Sequence, residues 1–361
     1  MRNHPHRPSL RARRALAPAA LAVAGLLTLA ACGAGPDDGS SPQGQGGASG
    51  GAQQPVGDPV AVATTTQLGS LLEQITACAG SSSATVMGPG DDPHDFSASS
   101  QQVAQMAAAG VVFAIGLGLE AGMEAALANA SADGATIVEV APELDPLPFT
   151  AVDHHEHAEG DSHAGESAEE HAEPADEEAG HEGHDHGSLD PHVWMDAGRM
   201  ADAADLMGQT LAESTGEQAY AECGAQTQRE LEEVDAQVQE ILAGIPEDRR
   251  TLVTDHAAYN YLADAYGLTV SGVVIPGGST DAEPSSQDLA GLVQQIQDSG
   301  ADALLTSVGS GSRMVHAVAQ EVGDVPVVEL YESGIGPAGS GAETYAAAMV
   351  FNAEALADAL Q

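Results

Sequence analysis

The chain contains no lysine: its ten cationic residues are all arginine, set against 54 acidic residues. Five of those arginines (Arg2, Arg7, Arg11, Arg13 and Arg14) crowd the first 14 residues. The remainder carries five cations against 54 acids, a charge near −49. Phosphate backbones are bound by clustered cations, so nucleic acid is excluded as a partner. A diffuse acidic surface favours cations, but at ordinary salt its field is screened within about 8–10 Å and specifies no site. Cysteine is scarce as well. Of the three present, none stands beside a histidine at zinc-ligand spacing, which excludes a thiolate metal site. After residue 31 no apolar run is long enough to span a bilayer, so the body is expected outside the membrane. The helical His-Glu-x-x-His and His-x-x-Glu-His patterns are missing too, and the chain is not expected to be an enzyme.

The basic start, the apolar residues 15–31 and the run Leu29-Ala30-Ala31-Cys32 together form an export signal. Cysteine directly after Leu-Ala-Ala is similar to a bacterial lipobox. Residues 1–31 then form a lipoprotein signal peptide, and Cys32 becomes the lipidated first residue. The Gly-, Ser-, Gln- and Pro-rich residues 33–58 form a flexible tether. The body is placed outside the cytoplasm, anchored to the outer face of the cell membrane by lipid on Cys32. In that oxidising compartment Cys78 and Cys223 are an even pair and are expected to be bridged.

From residue 59 onward, short apolar runs alternate with stretches of helical apolar spacing. Strands are expected at 59–64, 84–87, 111–115 and 136–140, and helices at 65–78, 99–108 and 119–130. Two consecutive helices follow, 197–211 and 217–242, the second ended by Gly244 and Pro246. The alternation then resumes: strands at 251–254, 270–275, 303–306 and 325–329, helices at 256–266, 285–298, 311–322 and 342–360. The fold class is α/β, with two lobes of parallel sheet joined by a long connecting helix. The expected divisions are 59–212 for the first lobe, 213–246 for the connecting helix and 247–361 for the second lobe. Ligands of open α/β sheets sit at the carboxyl ends of the strands, here in a cleft between the lobes.

One tripeptide occurs twice, as Asp92-Pro93-His94 and Asp190-Pro191-His192. Between the copies, residues 153–187 hold eight histidines, thirteen acidic residues and no cation. With nothing apolar to bury, this tract is expected to form no packed core and to capture metal weakly. His94, His192 and His256 fall at strand ends or loop exits in distant segments. Three imidazoles plus a carboxylate or water make a four-coordinate zinc site.

On these residues the chain resembles the metal-binding lipoproteins of bacterial ABC importers for zinc and manganese, the cluster with a helical spine between its lobes. The resemblance runs from residue 59 to residue 360. It is carried by Asp92-Pro93-His94-Asp95-Phe96, Gly116-Leu117-Gly118-Leu119-Glu120 and Asp190-Pro191-His192-Val193-Trp194-Met195-Asp196. Thr254-Asp255-His256-Ala257-Ala258-Tyr259, Asp281-Ala282-Glu283-Pro284-Ser285 and the segment 336–345 complete it. It implies a solute-binding lipoprotein, monomeric, that captures Zn²⁺ as cargo and delivers it to a permease and its ATPase. His94, His192 and His256 are the implied ligands. Histidine at 256, where manganese members usually carry glutamate, implies zinc over Mn²⁺. The family's fourth ligand is an aspartate where this chain has Ser333, so Glu332 or a water is expected there. Glu120, Asp255 and Asp196 are the expected carboxylate supports of the histidines, with a purely structural role open for Glu120. The alternatives are a manganese-importer component and a surface storage or adhesion lipoprotein without a transporter.

Overall fold

A computed structural model describes residues 59–149, 189–275, 286–310, 313–323 and 325–361. The signal region, Cys32 and its tether, the histidine tract and the 281–285 piece lie outside the described residues. The first lobe's sheet is built from β1 (Val62–Ala63), β2 (Ala84–Thr85), β3 (Val111–Ala114) and β4 (Thr136–Glu139), all parallel, in the order β2-β1-β3-β4. Its helices are α1 (Thr66–Cys78), α2 (Ser100–Ala109) and α3 (Glu124–Ala132). Two helices follow, α4 (Ala197–Thr215) and α5 (Ala219–Ala243). The second lobe adds β5 (Thr251–Thr254), α6 (Asn260–Tyr266), β6 (Thr269–Val273), α7 (Ser286–Ser299), β7 (Ala303–Ser307), α8 (Arg313–Val322), β8 (Val327–Leu330) and α9 (Tyr345–Leu360). Its strands are parallel in the order β6-β5-β7-β8, the same pattern as in the first lobe.

Successive side chains along a strand point to opposite faces, and both sheets are covered on both faces. In the first lobe Ala63 and Phe113 turn toward a core shared with α1, α4, α5 and α9, while Val62 and Val112 turn toward α2 and α3. In the second lobe Leu252 and Leu305 join that same shared core, while Val253 and Leu304 pack on α7 and α8. The two-helix spine is therefore the common wall of both lobes. Its helices touch backbone to backbone: a Cβ on Gly208 would stand 2.7 Å from Gly224 Cα, so glycine is required at this crossing.

Helix boundaries follow their caps. Thr65, Asp196 and Thr344 accept first-turn N–H groups of α1, α4 and α9, and Ser99 with Gln102 forms a reciprocal capping box on α2. The expected helix 256–266 begins only at Asn260. Thr254 donates its hydroxyl to the His256 carbonyl and the Asp255 carboxylate accepts the His256 N–H, which diverts the groups a helix would use. The expected helix 119–130 likewise opens as a 3₁₀ turn at Ala121–Met123, with α3 starting at Glu124.

Cys78, at the end of α1, is bridged to Cys223 on α5, with Cα atoms 5.9 Å apart and a sequence separation of 145. Closing so long a loop contributes roughly 4–5 kcal/mol in the chain-entropy account. The paired substitution Cys78→Ala with Cys223→Ala is expected to lower the denaturant midpoint correspondingly, read by circular dichroism with and without reductant. An unchanged midpoint would mean that packing alone fixes α1 on the spine.

Candidate metal centre

The two Asp-Pro-His copies fold into the same local device. In each, the aspartate carboxylate accepts the N–H of the histidine two residues on: Asp92 Oδ1 from His94 at 2.9 Å, and Asp190 Oδ1 from His192 at 3.0 Å. Proline between them fixes the backbone of this Asx turn. His256 is held similarly, its N–H donating to Asp255 Oδ1 at 2.7 Å. In two of the three cases the same oxygen also receives the ring: His192 Nδ1 is 2.8 Å from Asp190 Oδ1, and His256 Nδ1 is 2.9 Å from Asp255 Oδ1. A carboxylate only accepts, so both rings carry a proton on Nδ1 and turn Nε2 away from the aspartate.

His94, His192 and His256 are buried, and each offers a ring nitrogen within 4.8 Å of the others. His94 Nε2 and His192 Nε2 are 3.3 Å apart. A tetrahedral zinc with nitrogen ligands at about 2.0–2.1 Å has ligand-to-ligand edges of about 3.3–3.4 Å, so this spacing fits one edge of such a site. Among the described residues His256 Nε2 is buried without a hydrogen-bond partner, and Glu332 Oε1 stands 3.7 Å from it. Glu332 is itself 1 % exposed. Three imidazoles drawn from both lobes thus converge on one small volume, with the Glu332 carboxylate beside His256.

Glu332 reaches this position because its backbone is pinned from the first lobe. Its carbonyl accepts Trp194 Nε1 at 2.8 Å and Gln67 Nε2 at 3.2 Å. Asp190 makes the reciprocal link. Its Oδ2 accepts from Asn260 and its carbonyl from the Tyr261 hydroxyl, both on α6 of the second lobe. A cavity of about 330 Å³ adjoins the centre, lined by Asp92 from the first lobe and by Ser307, Ser310, Tyr331 and Ser333 from the second. A larger cavity of about 550 Å³ lies between α1 and residues 343–346, and neither cavity is lined by any of the three histidines.

The supporting carboxylates sort differently from the expectation. Asp255 does hold a ring. Asp196 caps α4 through Gly198 and Arg199 N–H and pairs with the Arg199 guanidinium, so its carboxylate is committed away from the imidazoles. Glu120 accepts from the Thr64 hydroxyl and from Ile115 and Gly116 N–H, tying the ends of β1 and β3 together. Asp190, the ring partner of His192, was not among the expected supports. Its signal was in the sequence, as the aspartate two residues ahead of a histidine across a proline.

Burial alone would push His256 down, but the Glu332 and Asp255 carboxylates outweigh it and push the ring up to about 9. Burial raises Glu332, offset in part by His256 and His192. Burial would raise Asp255 as well, but His256 and the Thr306 hydroxyl outweigh it and hold the carboxylate low. In the metal-free protein the His256–Glu332 pair therefore retains a proton at neutral pH. Tyr259, whose ring lies edge-on to His256 at 6.3 Å, buries its hydroxyl without a hydrogen-bond partner beside this pair.

The sequence profile of the family described as zinc-uptake complex component A, periplasmic, matches residues 61–359. The manganese-binding lipoprotein MntA of Halalkalibacterium halodurans is 25% identical over 296 residues, covering 81% of this chain and 85% of the relative. The zinc-binding protein TroA of Treponema pallidum is 27% identical over 289 residues, 76% of this chain and 80% of the relative. The solved structure of the Treponema pallidum periplasmic zinc-binding protein TroA superimposes with a TM-score of 0.65 at 25% identity, over 84% of this chain and 99% of the other.

Two outcomes follow from the geometry. His256 is raised above the 6.5 of a free imidazole, so its protonation stabilises the metal-free fold below pH 6.5, and this contribution is lost as pH rises through about 9. Zinc needs the neutral ring, so binding at pH 7.5 should release about one proton there, and affinity should climb by up to ~10-fold per pH unit toward pH 9. Calorimetry in two buffers of different ionisation enthalpy counts the proton, and no release at pH 7.5 would contradict this assignment. Asp190→Asn should weaken zinc by ~10–100-fold, through loss of the His192 ring partner, in competition with a zinc-responsive dye.

Proposed function

We propose that this chain, which belongs to the periplasmic zinc-uptake complex component A family, captures a divalent transition-metal ion between its lobes and delivers it to an ABC-type importer. The observation that carries this reading is the convergence of three buried ring nitrogens within 4.8 Å, one edge closing at 3.3 Å. The ion is cargo: bound whole, held dry and handed on. Relatives named for zinc and for manganese both match the chain. The donor set favours zinc, because three imidazoles and one carboxylate are a nitrogen-rich tetrahedron, whereas manganese is suited by more oxygen ligands. Glu332 is the proposed fourth ligand, its Oε1 already 3.7 Å from His256 Nε2.

The remaining parts fit the same role. Cys32 is the proposed lipid anchor, residues 33–58 the tether, and a membrane permease with its ATPase the partners. No helix among the described residues is long and apolar enough to cross a membrane. The eight histidines of residues 153–187 would raise the local concentration of metal without a scaffold to hold it tightly.

Metal analysis and competition titration of the purified body test the reading. The triple change His94→Ala, His192→Ala and His256→Ala, made in a chain lacking residues 153–187, is expected to abolish submicromolar zinc binding. Retention of one equivalent would overturn it. Glu332→Gln should weaken zinc by roughly 10–100-fold. Unchanged affinity would assign the fourth position to water.

A further inference from the structure

The hydroxyl chain behind Glu332 has a use that the ligand set alone does not require. Ser307, the last residue of β7, places its Oγ 2.9 Å from Ser333 Oγ, and Ser333 Oγ donates to Glu332 Oε2 at 2.9 Å. The Ser333 N–H also points at Ser307 Oγ, at 3.4 Å. Ser333 has one hydroxyl proton. Spent on Glu332, it leaves Ser333 Oγ to accept from Ser307, so the chain runs Ser307 to Ser333 to Glu332. The same strand end holds the other carboxylate of the centre: Thr306 Oγ1 and Ser307 N–H donate to Asp255 Oδ2 at 2.9 and 3.1 Å. The exit of β7 thus fixes both carboxylates that flank His256, Asp255 on its Nδ1 side and Glu332 on its Nε2 side.

The consequence for Glu332 is geometric. One oxygen, Oε2, is turned toward Ser333, and the other, Oε1, lies 3.7 Å from His256 Nε2. A carboxylate anchored this way offers a metal one oxygen. Three imidazoles and one oxygen complete the four-coordinate shell that zinc prefers. Manganese, which takes carboxylate oxygens and higher coordination numbers, gains from a carboxylate that ligates through both.

We propose that Ser333 is a specificity-determining positioning residue: its hydroxyl, backed by Ser307, holds Glu332 to single-oxygen ligation and biases the centre toward zinc and against manganese. This rests on the reading of Glu332 as the fourth ligand.

The test is the ratio of manganese to zinc dissociation constants, measured by competition on the full body. A ratio cancels any change in the protonation of metal-free Glu332, which burdens both ions alike. Ser333→Ala is expected to lower the ratio by about 10-fold, equivalent to ~1.4 kcal/mol of lost discrimination. Ser333→Thr, which keeps the hydroxyl, should restore it, and Ser307→Ala should fall between. With Co²⁺ as the probe, the strong visible absorption of a four-coordinate ion should weaken in Ser333→Ala as Glu332 turns both oxygens inward. An unchanged ratio and unchanged cobalt spectrum in Ser333→Ala, with folding verified by circular dichroism, would overturn the proposal. If Ser333→Ala does not fold, loss of selectivity in Ser307→Ala supports the proposal, and full selectivity there overturns it. Glu332→Gln separates the two readings. Unchanged zinc affinity in that variant removes Glu332 from the shell altogether. Weakened affinity together with an unmoved ratio in Ser333→Ala leaves the ligand in place and rejects only its restraint by serine.

Discussion

Ring nitrogens have no reason to approach one another in a dry interior. An imidazole moved from water to a buried site gives up its hydration, and gathering three of them around a point where His256 Nε2 has no hydrogen-bond partner among the described residues opposes folding. The rest of the structure is arranged to hold this unfavourable cluster. Two of the rings are held from behind by aspartates, Asp190 and Asp255, whose single oxygens grip ring and backbone together. A carboxylate on Nδ1 fixes the tautomer and raises the basicity of Nε2, so the devices that immobilise these rings also prepare them for a cation. The proton retained by the His256–Glu332 pair relieves part of the cost until a metal replaces it.

The two lobes solve a common problem with the same chemistry turned around. Each sheet has its order reversal between the first and third of its strands, where a crevice opens at the carboxyl ends. In the first lobe a buried carboxylate from beyond β3, Glu120, reaches back to Thr64 at the end of β1. In the second a buried carboxylate from beyond β5, Asp255, reaches across to Thr306 and Ser307 at the end of β7. Both close the crevice floor. The second also holds the His256 ring. Polar ties then run between the lobes in both directions, from Trp194 and Gln67 to the Glu332 carbonyl and from Asn260 and Tyr261 to Asp190.

What could be read from the chain divides along physical lines. The alternation of short apolar runs with helical spacing gave the two parallel-sheet lobes because burial on both faces leaves a continuous apolar signal. The three histidines could be singled out because loop exits after strands are where such sheets bind. Asp196, an expected support of the histidines, caps the first turn of α4, a use that residue type alone does not distinguish from holding a ring. The late start of α6 was hidden for a related reason: its apolar spacing extends back through Ala257 and Ala258, but the hydrogen bonds of Thr254 and Asp255 commit that backbone to the metal loop. Periodicity reports which face is buried. It does not report which backbone groups a side chain has already claimed.

The departure at Tyr331-Glu332-Ser333 is the place where the sequence posed a question it could not answer. The resemblance implies an aspartate where this chain has Ser333, and the carboxylate present is Glu332, one position earlier. Shifting a ligand by one residue along an extended segment ordinarily turns its side chain to the opposite side. Here two first-lobe donors on the Glu332 carbonyl fix the backbone so that the carboxylate turns inward, and the extra methylene of glutamate over aspartate lengthens its reach. The residue left at the old position is small and carries a hydroxyl, and it bonds to the carboxylate that replaced it. The pair is therefore one unit, and neither residue is interpretable alone.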